Sequence, residues 1–141
     1  MANIIIYRLV DNSIRIGYPA DATDLDIEAA RVMADVNFPA GASYRIVDDT
    51  ALPTFWPFQG AWRDDGVNLT VDMTEAGNIQ QTRIDKAGTV ELEKLSLLEL
   101  IDDVLRPIDK QTIRDAMVAF DPSTAIVPQD LVNSWPTAIL A

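Results

Sequence analysis

The segment DTALPTFWPFQGAWRDDGVNLTVDM, residues 49–73, decides how the rest of the chain is arranged. It holds two of the three Trp and two of the eight Pro. Four aromatic residues fall within eight positions: Phe55, Trp56, Phe58 and Trp62. The pattern before this aromatic segment predicts short strands and one small helix, and the pattern after it predicts almost only helix. Both halves of the chain are therefore expected to meet there.

The N-terminal part predicts a β-hairpin, one helix and a third strand. Runs rich in β-branched residues at 3–10 and 13–18 flank Asp11-Asn12, a favourable two-residue turn. A helix over 24–36 is predicted to start at Thr23, whose T-x-x-D spacing to Asp26 is close to a capping box. A short strand at 44–47 is expected to pair with the hairpin.

The C-terminal part predicts one strand and then helices. Strict alternation over 67–73 predicts a half-buried strand, and the absence of Pro from 75 to 105 predicts a long helix. Gly77 and Gly88 each cost roughly 1 kcal/mol in a helix interior, so a break at 87–89 is a possible outcome. Further helices are predicted over 109–120 and 129–134.

The long helix carries an aliphatic stripe: Val90, Leu97, Ile101, Val104 and Ile108, widened by Leu98 and Leu105. Two arrangements fit it. The favoured one packs the stripe against the helix at 109–120. The other is a coiled coil, because the spacing is 4-3-4-3, although Lys94 interrupts it.

These patterns predict an α+β fold with a small antiparallel sheet and one helix, followed by a helical region with one long helix. The expected division is an α+β domain over 1–73, with an aromatic, Pro-rich loop at 49–66, and a helical region over 74–141. The helical region either packs on the first domain, giving one compact body, or extends to a partner.

The residue inventory argues against catalysis. The chain has no Cys and no His, which removes Cys nucleophiles, His bases and the usual zinc and haem ligands. The acidic pairs Asp48-Asp49, Asp64-Asp65 and Asp102-Asp103 are interpreted as surface charge, because adjacent side chains on an element point apart. We therefore expect no enzyme, no cofactor and no metal site.

The net charge of −11 limits the partners. Such a chain repels phosphate backbones and anionic membranes, and its 11 basic residues are dispersed. No apolar run approaches the roughly 20 residues of a membrane span, and the N-terminus lacks a signal-peptide pattern. We expect a protein that is made and folded in a cytoplasm and that binds no nucleic acid.

The aromatic cluster has two interpretations. Phe58 and Trp62 are spaced to fill the joint between sheet and helices, as core residues. Phe55 and Trp56, flanked by prolines, could equally belong to the core or form an exposed patch for a partner protein.

The order of several motifs resembles a family of small tailed-bacteriophage proteins that are tail-fibre-associated or assist fibre assembly. The matching residues run through most of the chain: 39–42 (PAGA), 46–48 (IVD), 51–53 (ALP), Phe58, 61–62 (AW), 71–73 (VDM), Ala76, 113–115 (IRD), 135–136 (WP) and Leu140. The chain departs from the family where Phe55-Trp56 replace Asp-Arg and Gln59 replaces Arg.

The resemblance implies a protein that binds another tail component, foremost a tail fibre, as a virion subunit, adaptor or assembly chaperone. It would be found in the virion tail, or in the host cytoplasm during assembly. Replacement of charge by aromatic rings suggests Phe55, Trp56, Phe58 and Trp62 as partner-binding residues, together with one face of the long helix. The alternatives are a self-associating minor virion protein and a carboxylate-based metal- or ligand-binding domain.

Overall fold

A computed structural model describes residues 2–19, 24–53 and 56–140. The chain divides into two compact units, Met1–Asp72 and Met73–Ala141. A small antiparallel sheet with one helix comes first, and a long helix with further helices follows. The predicted α+β fold class is confirmed.

The elements follow the chain in order. The first unit contains β1 (Asn3–Arg8), β2 (Ile14–Gly17), α1 (Leu25–Met33), β3 (Ser43–Asp48), the 3-10 turns Asp49–Ala51 and Trp56–Ala61, β4 (Trp62–Asp64) and β5 (Leu69–Val71). The second unit contains α2 (Met73–Asp102), α3 (Pro107–Ala119), the 3-10 turn Pro122–Thr124 and α4 (Pro128–Asn133).

Strand β1 lies at the centre of the main sheet, whose order is β2-β1-β3 with both pairings antiparallel. Its side chains alternate between the two faces. Ile5 and Tyr7 pack with Ala29 of α1 on one face. Ile4 and Ile6 belong to the cluster that contains Trp62 on the other. The strand is apolar at successive positions because both of its faces are covered.

The predicted hairpin and the predicted third strand are both present. The amide of Leu9 donates to the Ser13 carbonyl and the Asn12 amide donates to the Leu9 carbonyl at 3.0 Å, so residues 10–12 form a three-residue loop and the predicted two-residue turn at Asp11-Asn12 is wrong. Asn12 ends this loop with a φ of 66°, the left-handed conformation that its last residue adopts. Asp11 Oδ1 accepts a hydrogen bond from the Ser13 amide at 2.9 Å. Helix α1 is shorter than predicted and its N-cap is Asp24, which accepts from the amides of Asp26 and Ile27. Thr23, the predicted start, lies outside the described residues.

The aromatic segment contains a second hairpin that the sequence pattern did not predict. Strand β5 covers only part of the predicted 67–73 strand, and it pairs with β4 so that Trp62 lies opposite Val71. Asp65 accepts from the amides of Val67 and Asn68, and Gly66 has a φ of 94°. Those turn bonds fix the register that brings Trp62 onto the sheet.

Helix α2 is continuous through both glycines, so the considered break at 87–89 does not occur. Both glycines lie where another element comes close. A Cβ at Gly77 would be 2.8 Å from Pro122 Cβ, and one at Gly88 would be 2.6 Å from Met117 Cγ. The missing side chains permit close packing, which offsets the cost of glycine in a helix.

Gly77→Ala is expected to reduce the free energy of unfolding although Ala is the better helix former. Overpacking costs about 1–3 kcal/mol, whereas the gain in helix propensity is about 1 kcal/mol. The rigid Pro122 ring cannot rotate out of the way. Urea unfolding followed by circular dichroism at 222 nm measures the difference. The control is Asn78→Ala at the next, exposed position, which should gain a few tenths of a kcal/mol; a Gly77→Ala variant as stable as wild type would contradict the packing argument.

Candidate interaction surface

The aliphatic stripe of α2 remains largely uncovered at the end of the helix and in the connection to α3. Its residues have between 45% and 80% of their surface exposed, and the neighbouring Leu100, which the stripe did not include, is 81% exposed. We call this surface the apolar tip: Leu97, Leu98, Leu100, Ile101, Val104, Leu105 and Ile108. A group of exposed large aliphatic side chains of this kind often marks a site of association.

The predicted packing of this stripe against the following helix is wrong, and helix geometry explains why. At 100° per residue, Gly77, Ile84, Gly88 and Leu95 fall within about 20° of one direction. Ile84 is buried, and Gly88 contacts Met117 of α3. The direction of Val90, Leu97 and Ile101 is roughly 200–240° away from that face. Helix α3 packs on the side with the small residues, so Val90, Leu97 and Ile101 of the stripe face away from it.

Ion pairs and backbone hydrogen bonds hold the connection between α2 and α3 in one conformation. Glu99 forms an ion pair with Lys110 and accepts from the Arg106 amide at 2.7 Å. Asp102 forms an ion pair with Arg106 and accepts from the Val104 amide at 3.0 Å. The apolar side chains are therefore presented from an ordered framework, which lowers the entropy cost of binding.

These contacts lower the pKa values of both carboxyl groups. The hydrogen bond from Lys110 is the main reason that the pKa of Glu99 lies below its usual value. The hydrogen bond from Arg106 does the same for the pKa of Asp102. Both groups remain charged at neutral pH and in mild acid, so the framework of the tip persists there.

A shallow, open groove on the surface of α2 adjoins the tip. It is lined mainly by Leu92, Leu97 and Leu100, with Thr89, Glu93 and Ser96 at its sides, all from this one helix. Its apolar lining extends the surface back along the helix from the tip. A partner helix could place side chains in this groove while it covers the tip.

The structure assigns different roles to the aromatic residues that were predicted to bind a partner. Phe58 and Trp62 are fully buried, so their rings are not accessible to a partner in the folded chain. They agree with the core interpretation, and a docking surface built on them is ruled out. Trp56 is 50% exposed. Phe55 lies outside the described residues, so its role stays a prediction.

Trp62 is the main aromatic residue of the first unit's core. It clusters with Ile4, Ile6 and Leu52, and the Trp56 ring lies on it with centroids 4.9 Å apart and a 54° angle between planes. Its Nε1 is buried and has no hydrogen-bond acceptor in the described part of the chain. Burial of the apolar ring therefore supplies the stabilisation, without help from the N–H group.

Asp64 was predicted to be surface charge, and this is wrong. It is buried, and its two carboxylate oxygens accept from Arg45 Nη2 at 2.8 Å and Nε at 3.1 Å. The Gly66 amide donates a third bond at 2.9 Å. Burial by itself would raise the pKa of Asp64, but the bonds from Arg45 and Gly66 together hold it below the ordinary value. Asp64 joins β4 to the edge of the main sheet and is a structural residue.

The remaining acidic side chains bond mostly to nearby backbone. Asp48 accepts from the amide and hydroxyl of Thr50. Among residues 2–19, 24–53 and 56–140, no three acidic side chains are grouped in a way that could hold a metal ion. Over the same residues, no helix combines the length and the apolar character needed to cross a membrane.

Comparisons with family models, with curated proteins and with solved structures found no match to this chain. The functional argument therefore depends on the residues themselves and on their arrangement.

Sequence reasoning found the residues of the apolar tip other than Leu100, but it favoured their packing against the next helix over their exposure. The informative signal was the spacing of Gly77, Ile84 and Gly88, which marks the face where another helix can approach closely. Helix propensity by itself registers these glycines only as a cost. The position of Trp62 was missed for another reason, because a three-residue strand that begins with Trp gives almost no periodic signal.

Proposed function

We propose that this chain is a non-enzymatic, tail-associated bacteriophage protein that binds another tail component, foremost the tail fibre, through the apolar tip. The observation that carries the proposal is the set of exposed aliphatic side chains at the C-terminal end of α2, in the connection to α3 and at the start of α3. The motif order that resembles tail-fibre-associated proteins supports the choice of a tail partner. The protein would act as an assembly chaperone or remain as a subunit or adaptor in the virion.

The mode of action follows from the chemistry of the tip. Aliphatic side chains release water when a complementary surface covers them, and burial is worth roughly 25 cal/mol per Å² of apolar area. The acidic surface elsewhere keeps the unbound protein soluble. The ion pairs of Glu99 and Asp102 order the tip before binding, so binding costs less conformational entropy.

Leu100→Ser combined with Ile101→Ser is expected to abolish capture of the tail fibre without unfolding the protein. Both side chains are exposed, so the variant should unfold at the wild-type midpoint. Loss of two central apolar contacts is expected to weaken binding by about 30-fold or more, as hot-spot residues do. The test is co-expression of the tagged chain with the fibre protein of the same phage, followed by pull-down and titration.

Val118→Ser is the matched control, because Val118 is 85% exposed on α3 but lies outside the tip. It should capture the fibre as wild type does. Equal capture by the Leu100/Ile101 variant would reject the tip as the binding surface. Absence of a complex between the wild-type chain and any tail protein would reject the proposed function. Mass spectrometry of purified virions then distinguishes a permanent subunit from a chaperone that leaves.

A further inference from the structure

The charges around the apolar tip are strongly unbalanced. Residues 91–110 contain six carboxylates and three basic side chains. Each base is already in an ion pair with one of these carboxylates: Lys94 with Glu91, Arg106 with Asp102, and Lys110 with Glu99. The positive charges next to the tip are thus neutralised by the chain itself.

Three carboxylates near the tip lack such a partner. Glu93, Asp103 and Asp109 are exposed, and none of them lies within 4.0 Å of a basic nitrogen in the described part of the chain. Glu93 borders the groove beside Leu97 and Leu100. Asp103 directly follows α2, and Asp109 is in the first turn of α3. An exposed aliphatic surface is therefore bordered by carboxylates that a partner could neutralise.

A second copy of this chain fits the surface poorly. Two tips in a symmetric contact would bring their unpaired carboxylates towards each other, and each chain carries a net charge of −11. Like charges set against each other in an interface oppose association. A partner with the opposite charge gains from the same arrangement, because its basic side chains would meet Glu93, Asp103 and Asp109 while its apolar side chains cover the tip.

We infer that the apolar tip docks an amphipathic segment of another protein whose apolar face is flanked by Lys or Arg. This inference rests on the proposed function and specifies the chemistry of the partner surface. The apolar contacts supply the affinity, and the carboxylates select basic flanks and reject acidic ones.

Two synthetic helical peptides of about 18 residues test the inference. They share one Leu face, and their polar face is Lys in one peptide and Glu in the other. Titration calorimetry with the full chain should show at least about tenfold tighter binding of the Lys peptide, and this preference should shrink at high salt. Leu100→Ser with Ile101→Ser should abolish binding of the Lys peptide. Equal affinity for the two peptides, or no binding of the Lys peptide, would overturn the inference.

A charge-matched pair of variants separates the tip from the attraction of the whole acidic protein. The first triple variant is Glu93→Gln, Asp103→Asn and Asp109→Asn. It should bind the Lys peptide about tenfold more weakly than wild type. Neutralisation of Asp35, Asp85 and Asp115 to Asn, which changes the net charge equally at other exposed sites, should have little effect. Equal losses in both triple variants would contradict local recognition.

Two further results distinguish this inference from the proposed function. In the first, the Leu100/Ile101 variant loses fibre capture while the Glu93/Asp103/Asp109 variant keeps it. That result would overturn the charge selectivity but leave the proposed function standing. Sedimentation velocity that shows a wild-type dimer, dissociated by Leu100→Ser with Ile101→Ser, would identify a second copy as the occupant and overturn the inference.

Discussion

Trp62→Ala is expected to lower the free energy of unfolding by about 3–5 kcal/mol, which is the usual range for removal of a large aromatic side chain from a core. Trp62 is fully buried and packs in one cluster with Ile4 and Ile6 of β1. A domain of this size has roughly 5–15 kcal/mol of stability in total, so this single variant should lose a large fraction of it. Urea denaturation followed by tryptophan fluorescence and circular dichroism measures the change.

Trp62→Phe distinguishes the contribution of the aromatic ring to the free energy of unfolding from that of the indole N–H group. The indole Nε1 has no acceptor in the described part of the chain, so its removal relieves a desolvation cost of about 1–3 kcal/mol while some packing is lost. The Phe variant should therefore lose less than half of what the Ala variant loses. Trp56→Ala is the control for the exposed neighbour and should cost about 1 kcal/mol, the value of an aromatic pair. A Phe variant as unstable as the Ala variant would contradict the conclusion that burial of an apolar ring at this position supplies the stabilisation.

Asp64→Asn is expected to destabilise the first unit by about 3 kcal/mol, the lower end of the range for breaking a buried ion pair. The variant leaves the Arg45 guanidinium without its counter-charge, and the 27% exposure of the Arg45 side chain lets water compensate in part. Asp65→Asn is the matched control at the next position, because an Asn oxygen can still accept from the amides of Val67 and Asn68. It should cost less than about 1 kcal/mol.

The pH dependence of stability provides a second measurement on the same pair. The folded-state pKa of Asp64 lies below its ordinary value of 3.8. The pair therefore stabilises the fold fully above the unfolded-state pKa, and its contribution is lost as the pH falls through the folded-state pKa. Asp64→Asn should remove that part of the acid sensitivity relative to the wild-type chain. Stability of the Asp64→Asn variant that falls with pH as steeply as that of wild type would contradict the assigned role of Asp64.

A double-mutant cycle with Arg45→Met tests whether the cost comes from the unpaired charge. Removal of Arg45 in the Asp64→Asn background also removes the isolated guanidinium. The double variant should therefore be less unstable than the sum of the two single variants. Additive losses would show that Arg45 and Asp64 stabilise the fold independently.

The sequence predicted the elements with strong local signals. The hairpin of β1 and β2 was predictable because turn-forming residues separate two β-branched runs, although its loop is one residue longer than predicted. Helix α2 was predictable because no Pro occurs within its 30 residues. The pairing of β3 also followed from its composition. Local patterns of this kind need no knowledge of distant residues.

The features that sequence reasoning missed depend on contacts between distant residues. Arg45 and Asp64 are 19 positions apart, and no local rule indicates that β4 lies over the edge of the sheet. The orientation of the aliphatic stripe depended on which side of α2 received α3, and steric room at Gly77 and Gly88 decided it. Hydrophobic periodicity identifies an apolar face but does not say what covers it.

The position of Arg45 also affects how well the protein resists aggregation through its sheet edge. In the described part of the chain, β3 has a neighbouring strand on one side only. A charged side chain that points from such an edge strand towards the core hinders pairing with a strand of another molecule. Such pairing would remove both water and the counter-charge from the charged group. Two well-packed aliphatic residues in place of Arg45 and Asp64 could match the stability of the pair. They would leave an edge strand without an inward-pointing charge, at which fibrillar aggregation can begin.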